Sequence, residues 1–116
     1  MDDEIERFLT DLEPPIRDLA REVVDCVGRR LDLQAKVRWG WRSVNFHHAS
    51  AGLICAVFPL NQEVRLVFEH GRLLSNESGL LEGTQRQIRS IFLRPGSPVP
   101  TDAIGLLLAE SIALRA

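Results

Sequence analysis

LICAVFPLNQEVRLVF, residues 53–68, is the stretch that decides the fold. Leu53 to Phe58 is apolar at every position, the pattern of a strand buried on both faces near the centre of a sheet. Pro59 to Gln62 supplies a turn. Val64, Leu66 and Phe68 then alternate with Arg65 and Val67 in a second strand. So short a connection favours an antiparallel hairpin.

Working outward, Val37, Trp39 and Trp41 share one parity, whereas Val44 and Phe46 share the other. Side chains alternate strictly along a strand, so the chain must bend, bulge or turn between Gly40 and Ser43. Downstream, Gly71, Asn76, Ser78, Gly79 and Gly83 mark an irregular stretch with a short helical turn around Leu73 and Leu74. A further strand is expected from about Gln87 to Leu93, then a loop set by Pro95, Gly96, Pro98 and Pro100. Thr101 is expected to cap a closing helix whose apolar face is Ile104, Leu107, Leu108 and Ile112, with Leu106 and Leu114 partly outside it.

At the other end, Ile5, Phe8, Leu9 and Leu12 follow the spacing of one helix face. Pro14 and Pro15 end that helix, and Pro15 suits the first turn of the next. There Ile16, Leu19, Ala20, Val23, Val27 and Leu31 share a face, with Asp18, Glu22 and Asp25 opposite. The order predicts a single α+β domain over residues 1–116. Its antiparallel sheet of about five strands packs against two N-terminal helices and one C-terminal helix.

Composition narrows the function classes. With 116 residues, 45% apolar and 26% charged, the chain suits one buried core and excludes a disordered tail or a collagen-like fibre. The longest apolar run, Ala51 to Leu60, is about half of what spans a bilayer. The start, MDDEIE, is acidic where a signal peptide is basic, so a cytoplasmic protein without membrane contact is expected. Cys26 and Cys55, far apart, fit reduced thiols. The net charge of −2 is lopsided. Residues 1–25 hold nine acids against three arginines; the rest hold seven acids against eleven basic residues. The chain thus has an acidic front and a basic body, without the excess positive charge of a nucleic-acid binder.

Chemistry-bearing residues are few. Metal ligands would have to come from His47, His48, His70, Cys55, Glu69 and Glu82, but adjacent His47 and His48 point to opposite faces of a strand. None of Ser43, Ser50, Ser75, Ser78, Ser90, Ser97 and Ser111 sits in a nucleophile elbow, and there is no phosphate-binding or dinucleotide-binding loop. No catalytic residue is therefore expected, and the protein is read as a non-enzyme. Asp18, Glu22 and Asp25 form an acidic helix face, which is either solvated or a weak exchangeable site for a hard cation. Arg86 and Arg89, with Glu82 and the glycines at 79 and 83, form a candidate anion site. The alternative is that Glu82 pairs with an arginine and fixes the loop. Trp39, Trp41 and Arg42 are candidate groove walls beside it.

GLLEGTQRQIRSIFL, residues 79–93, resembles the Gly-Leu-Leu-Glu-Gly-Thr-Gly-Lys pattern of the YdhG-like family, catalogued as domain of unknown function 1801. WGWRSV at 39–44 is similar to that family's Tyr-Gly-Met-Pro-Ala-Phe segment, and the order of elements agrees over nearly the whole chain. Arg42 stands where the family has proline, Gln85 where it has glycine, and Arg86 where it has lysine. The resemblance implies a compact α+β fold related to frataxin-like proteins, some of them bacterial iron chaperones. It implies no catalytic residue.

The leading expectation is a small non-catalytic binding protein holding iron weakly at Asp18, Glu22 and Asp25. The alternatives are a small-anion binder using Arg86 and Arg89, with Trp39, Trp41, Arg42 and Glu82, and a protein-interaction module that is monomeric or dimerises.

Overall fold

The computed structural model describes residues 2–115. Helix α1 spans Asp3–Thr10 and α2 spans Pro14–Gly28; strands β1 (Leu33–Arg38), β2 (Ser43–His48), β3 (Gly52–Pro59), β4 (Val64–Phe68) and β5 (Arg89–Leu93) follow. A single 3-10 turn, Gly71–Leu73, interrupts the β4–β5 connection, and α3 spans Thr101–Arg115. The strands form one antiparallel meander in the order β1-β2-β3-β4-β5. The expected α+β architecture, three helices and a five-stranded antiparallel sheet, is the one observed.

Local chemistry accounts for the element ends. The Asp2 carboxylate accepts from the Glu4 backbone N–H at 2.7 Å, and the first turn of α1 carries Asp3, Glu4 and Glu6, which suit the positive end of a helix. Pro14 and Pro15 open α2, where absent backbone donors cost nothing. Helix α2 stops at Gly28, so Leu31 lies beyond it and is 95% exposed rather than part of its buried face. The helical spacing continues past Gly28, the last helical residue, but the chain tightens into a turn in which the Arg30 N–H reaches the Val27 carbonyl. There Arg30 grips Asp32 with two hydrogen bonds of 3.1 and 2.8 Å. Thr101 is the first residue of α3 rather than a residue ahead of it, and the Ile104 N–H reaches back to the Pro100 carbonyl.

The parity break between Trp41 and Val44 is a hairpin turn over residues 39–42, one residue earlier than the expected bend. Trp41 and Arg42 donate backbone N–H bonds to the Arg38 and Trp39 carbonyls, and Arg42 sits at φ 56°. The β2–β3 pairing shifts register after Phe46, where Ile54 is the extra residue of a bulge. His48 closes that hairpin: its Nδ1 accepts from the Ser50 and Ala51 backbone N–H groups, each at 3.1 Å.

All three helices pack on one face of the sheet. Strand pairing places Val37, Val44, Val57, Leu66 and Ile91 in one row across that face, and Phe46, Cys55 and Phe68 in the next. These side chains are buried against Phe8, Leu9, Leu19, Val23, Val27, Ile104 and Leu108. Each such aliphatic side chain contributes about 1.5–3 kcal/mol through removal from water. Among the described residues no helix is long and apolar enough to cross a membrane.

Candidate functional site

Among the described residues no helix covers the opposite face of the sheet. Register sets its central row: Asn45 on β2 faces Ala56 on β3, then Val67 on β4, Ser90 on β5 and finally Glu82. Glu82 is outside the five strands, but its backbone exchanges hydrogen bonds of 2.8 and 2.9 Å with Ser90 and so adds one rung at the sheet edge. A second row on the same face holds Phe58, Arg65 and Phe92. The segment 82–88 curls back beside these rows, and together they enclose an open cavity of about 550 Å³. That is ample for a small organic molecule.

The cavity floor is apolar, from Leu53, Ala56, Phe58, Val67, Ile88 and Phe92, with a few polar groups among them. Asn45 is the most telling of these. It is 2% exposed, and its Oδ1 accepts from the Ser43 hydroxyl at 2.7 Å. That bond orients the amide, and among the described residues no group accepts from its nitrogen, which carries two donors. Ser90 is also buried at the floor, while Glu69, Glu82, Thr84 and Gln85 stand at the wall.

The wall is held in place by the irregular connection between β4 and β5. Asn76 brackets Leu81 with two 3.0 Å hydrogen bonds, and Glu110 of α3 accepts from the Ser75 N–H. Gly71 lies so close to β5 that a Cβ there would be 2.5 Å from the Arg89 Cβ. Only glycine permits that approach. Gly79 and Gly83 take φ values of 74° and 129°, which other residues rarely adopt.

The residues singled out in the sequence are spread over several places. Trp41 and Glu82 line the cavity. Trp39 does not: its ring meets Phe8 edge-to-face at 5.6 Å and its Nε1 donates to Glu4 at 3.2 Å, stapling α1 to the hairpin. Arg42 borders a neighbouring hollow, with Asp11, Glu13 and Asn61, on the far side of a shared wall of Trp41, Phe58 and Leu60. Arg89 has the parity of Phe68, its pairing partner on the helix-covered side, and its guanidinium donates to the Gln85 and Ile88 carbonyls. It holds the loop, as the structural alternative had it, through carbonyls rather than through Glu82. Arg86 is exposed and is not part of the cavity lining. Asp18, Glu22 and Asp25 are exposed along α2, with Arg17 at 4.0 Å from Asp18. Arg21 beside them pairs with Glu6, and that bond raises the guanidinium pKa above its ordinary value. Among the described residues no three histidine, cysteine, aspartate or glutamate side chains are grouped to hold a metal ion.

No family model and no curated protein matches this sequence. Its fold is similar to the crystal structure of YdhG, a DUF1801-family protein from Bacillus subtilis. The TM-score is 0.72 at 15% identity, over 93% of this chain and 87% of that one. A likeness at that identity establishes shared architecture, and function has to be argued from the site.

The cavity residues that sequence reasoning missed are Asn45 and Ser90, with Ser43 behind Asn45 as its partner. Their signal was present: polar residues at cavity-facing parity in strands otherwise rich in apolar residues. A buried polar side chain is retained only with partners, and Ser43 and Asn45 partner one another.

Proposed function

We propose that this protein binds a small organic molecule on the open face of its sheet. The observation that carries the proposal is Asn45, a buried amide turned by Ser43 so that its donors are available to a cavity with an apolar floor. Specific small-molecule sites combine these features: a largely apolar concavity and a few fixed polar groups. The preferred occupant is flat, apolar over most of its surface, and carries one hydrogen-bond acceptor for the Asn45 amide. Binding rather than covalent chemistry is favoured by Cys55, whose thiol belongs to the helix-covered row and not to the open face. Burial pushes its pKa far up and keeps it in the unreactive protonated form.

Kinship with the YdhG-like family is part of this proposal, supported by the shared fold and by the 79–93 segment that shapes the wall. A reducing compartment is supported by two free, buried cysteines. Iron and anion binding find no comparable support. The acidic residues of α2 are spread along an exposed face, Arg86 is exposed outside the cavity lining, and Arg89 donates to loop carbonyls.

Titration of the isotope-labelled protein with a neutral two-ring aromatic alcohol tests the proposal. Amide shift changes are expected at the Asn45 side chain, the Trp41 ring N–H and residues 82–88, and Asn45→Ala should weaken them about tenfold or more. The absence of shifts at this face defeats the proposal. Broadening by ferrous iron confined to Asp18, Glu22 and Asp25 would instead favour the metal alternative.

A further inference from the structure

Three charged side chains line the open-face cavity, Arg65, Glu69 and Glu82, and they are not equivalent. Arg65 is already satisfied. Its Nε donates to Glu63 at 2.6 Å, and its guanidinium carbon lies 4.9 Å from the centre of the Phe92 ring. Arg94 approaches the other oxygen of Glu63 at 3.5 Å, so both oxygens of that carboxylate face a guanidinium and this corner keeps a net positive charge. The two carboxylates differ. Glu69 accepts only a neutral bond, from the Gln87 amide at 3.2 Å, and among the described residues no cation lies within ion-pair distance of Glu69 or Glu82.

The cavity therefore presents two uncompensated negative groups above an apolar floor, within a segment of chain that is basic overall. Three of the arginines behind that basic count are engaged elsewhere: Arg89 on loop carbonyls, Arg38 over the Trp41 ring, Arg65 on Glu63. Aromatic rings complete the pattern. Phe58, Phe92 and Trp41 line the same space, and ring faces attract cations. Phe92 does so already, through Arg65.

We infer that the open-face site selects molecules bearing a positively charged nitrogen on an apolar body. The apolar part covers Ala56, Val67 and Ile88, and the ammonium or amidinium group stands between Glu69 and Glu82. This rests on the proposal that the open face is a binding site, and it reverses the charge expected from the arginine-rich loop. Carboxylates at a partly desolvated wall favour a cation and oppose an anion, so the discrimination acts on both sides.

Three naphthalene probes of one shape separate the two propositions: one with an aminomethyl group, one with a hydroxymethyl group and one with a carboxylate. Affinities are read from the same amide titration at low salt. The aminomethyl probe should bind about tenfold or more tighter than the carboxylate, with the hydroxymethyl probe between them. In the double variant Glu69→Gln, Glu82→Gln that ratio should fall to within about threefold, with the melting temperature unchanged. Both glutamates retain exposure, and glutamine preserves their shape, so the fold is not at stake. Hydroxymethyl binding without charge preference, or a preference surviving the double variant, overturns the inference alone. Failure of all three probes to reach this face overturns the binding proposal and the inference with it.

Discussion

The two faces of the sheet obey the same alternation yet carry opposite chemistry. The helix-covered face is apolar except at its edge, where Arg89 turns to loop carbonyls, and its rows are sealed by α1, α2 and α3. The open face mixes Ala56, Phe58 and Val67 with Ser43, Asn45, Ser90, Glu69 and Glu82. The first face is what makes the chain fold, because burial there removes large side chains from water. The second contributes less to stability and is free to keep polar groups that a core would reject. Stability and binding should therefore separate cleanly by strand parity.

The largest effect is expected from breaking the covered face. Phe68→Ala should cost about 3–5 kcal/mol, whereas Phe58→Ala, on the partly exposed face, should cost no more than about 1.5 kcal/mol. Chemical denaturation of both variants checks this, and equal losses would erase the distinction between the faces. An intermediate effect is expected where the two faces meet. Gly71→Ala would drive its new Cβ to 2.6 Å from the Arg89 backbone nitrogen, which cannot swing aside as a flexible side chain could. A loss of about 1–3 kcal/mol is expected. Because β5 and the 82–88 wall shift together, probe binding at the open face should weaken as well. The smallest effect belongs to neither face. Arg30 holds the Asp32 carboxyl below the usual carboxylate range through its hydrogen bonds, with lesser help from His48. A lowered pKa stabilises the fold above the ordinary carboxylate range and is lost as pH falls through the lowered value. Asp32→Asn should accordingly lower the melting temperature slightly above about pH 5, and the difference should vanish on further acidification.

Much of the fold was legible because hydrophobic period reports secondary structure directly. The apolar run 53–58, the alternation of 64–68, and the proline pair at 14–15 marked elements that the structure contains. The errors have simple causes. Leu31 continued a helical spacing that Gly28 had already ended, and Trp39 continued a strand parity that the hairpin turn had already broken. The site was less legible. Charge and glycine drew attention to Arg86 and Arg89, yet Arg89 has the wrong parity for the cavity and Ser90 beside it has the right one. Residue type pointed to an anion site, whereas neighbours decide whether a charge is available. Arg65 and Arg89 are spoken for; Glu69 and Glu82 are not.

Local patterning determined the elements, their order and the antiparallel meander, since period and turn chemistry act over a few neighbouring positions. Packing across the chain decided the rest. It placed all three helices on one face, and so chose which parity became core and which became cavity wall. It also aligned Asn45 of β2 with Ser90 and Glu82 at the β5 edge, far along the chain from it, in one row. That row depends on register and on the Glu82–Ser90 bridge, and long-range pairing of this kind leaves no trace in spacing along the chain.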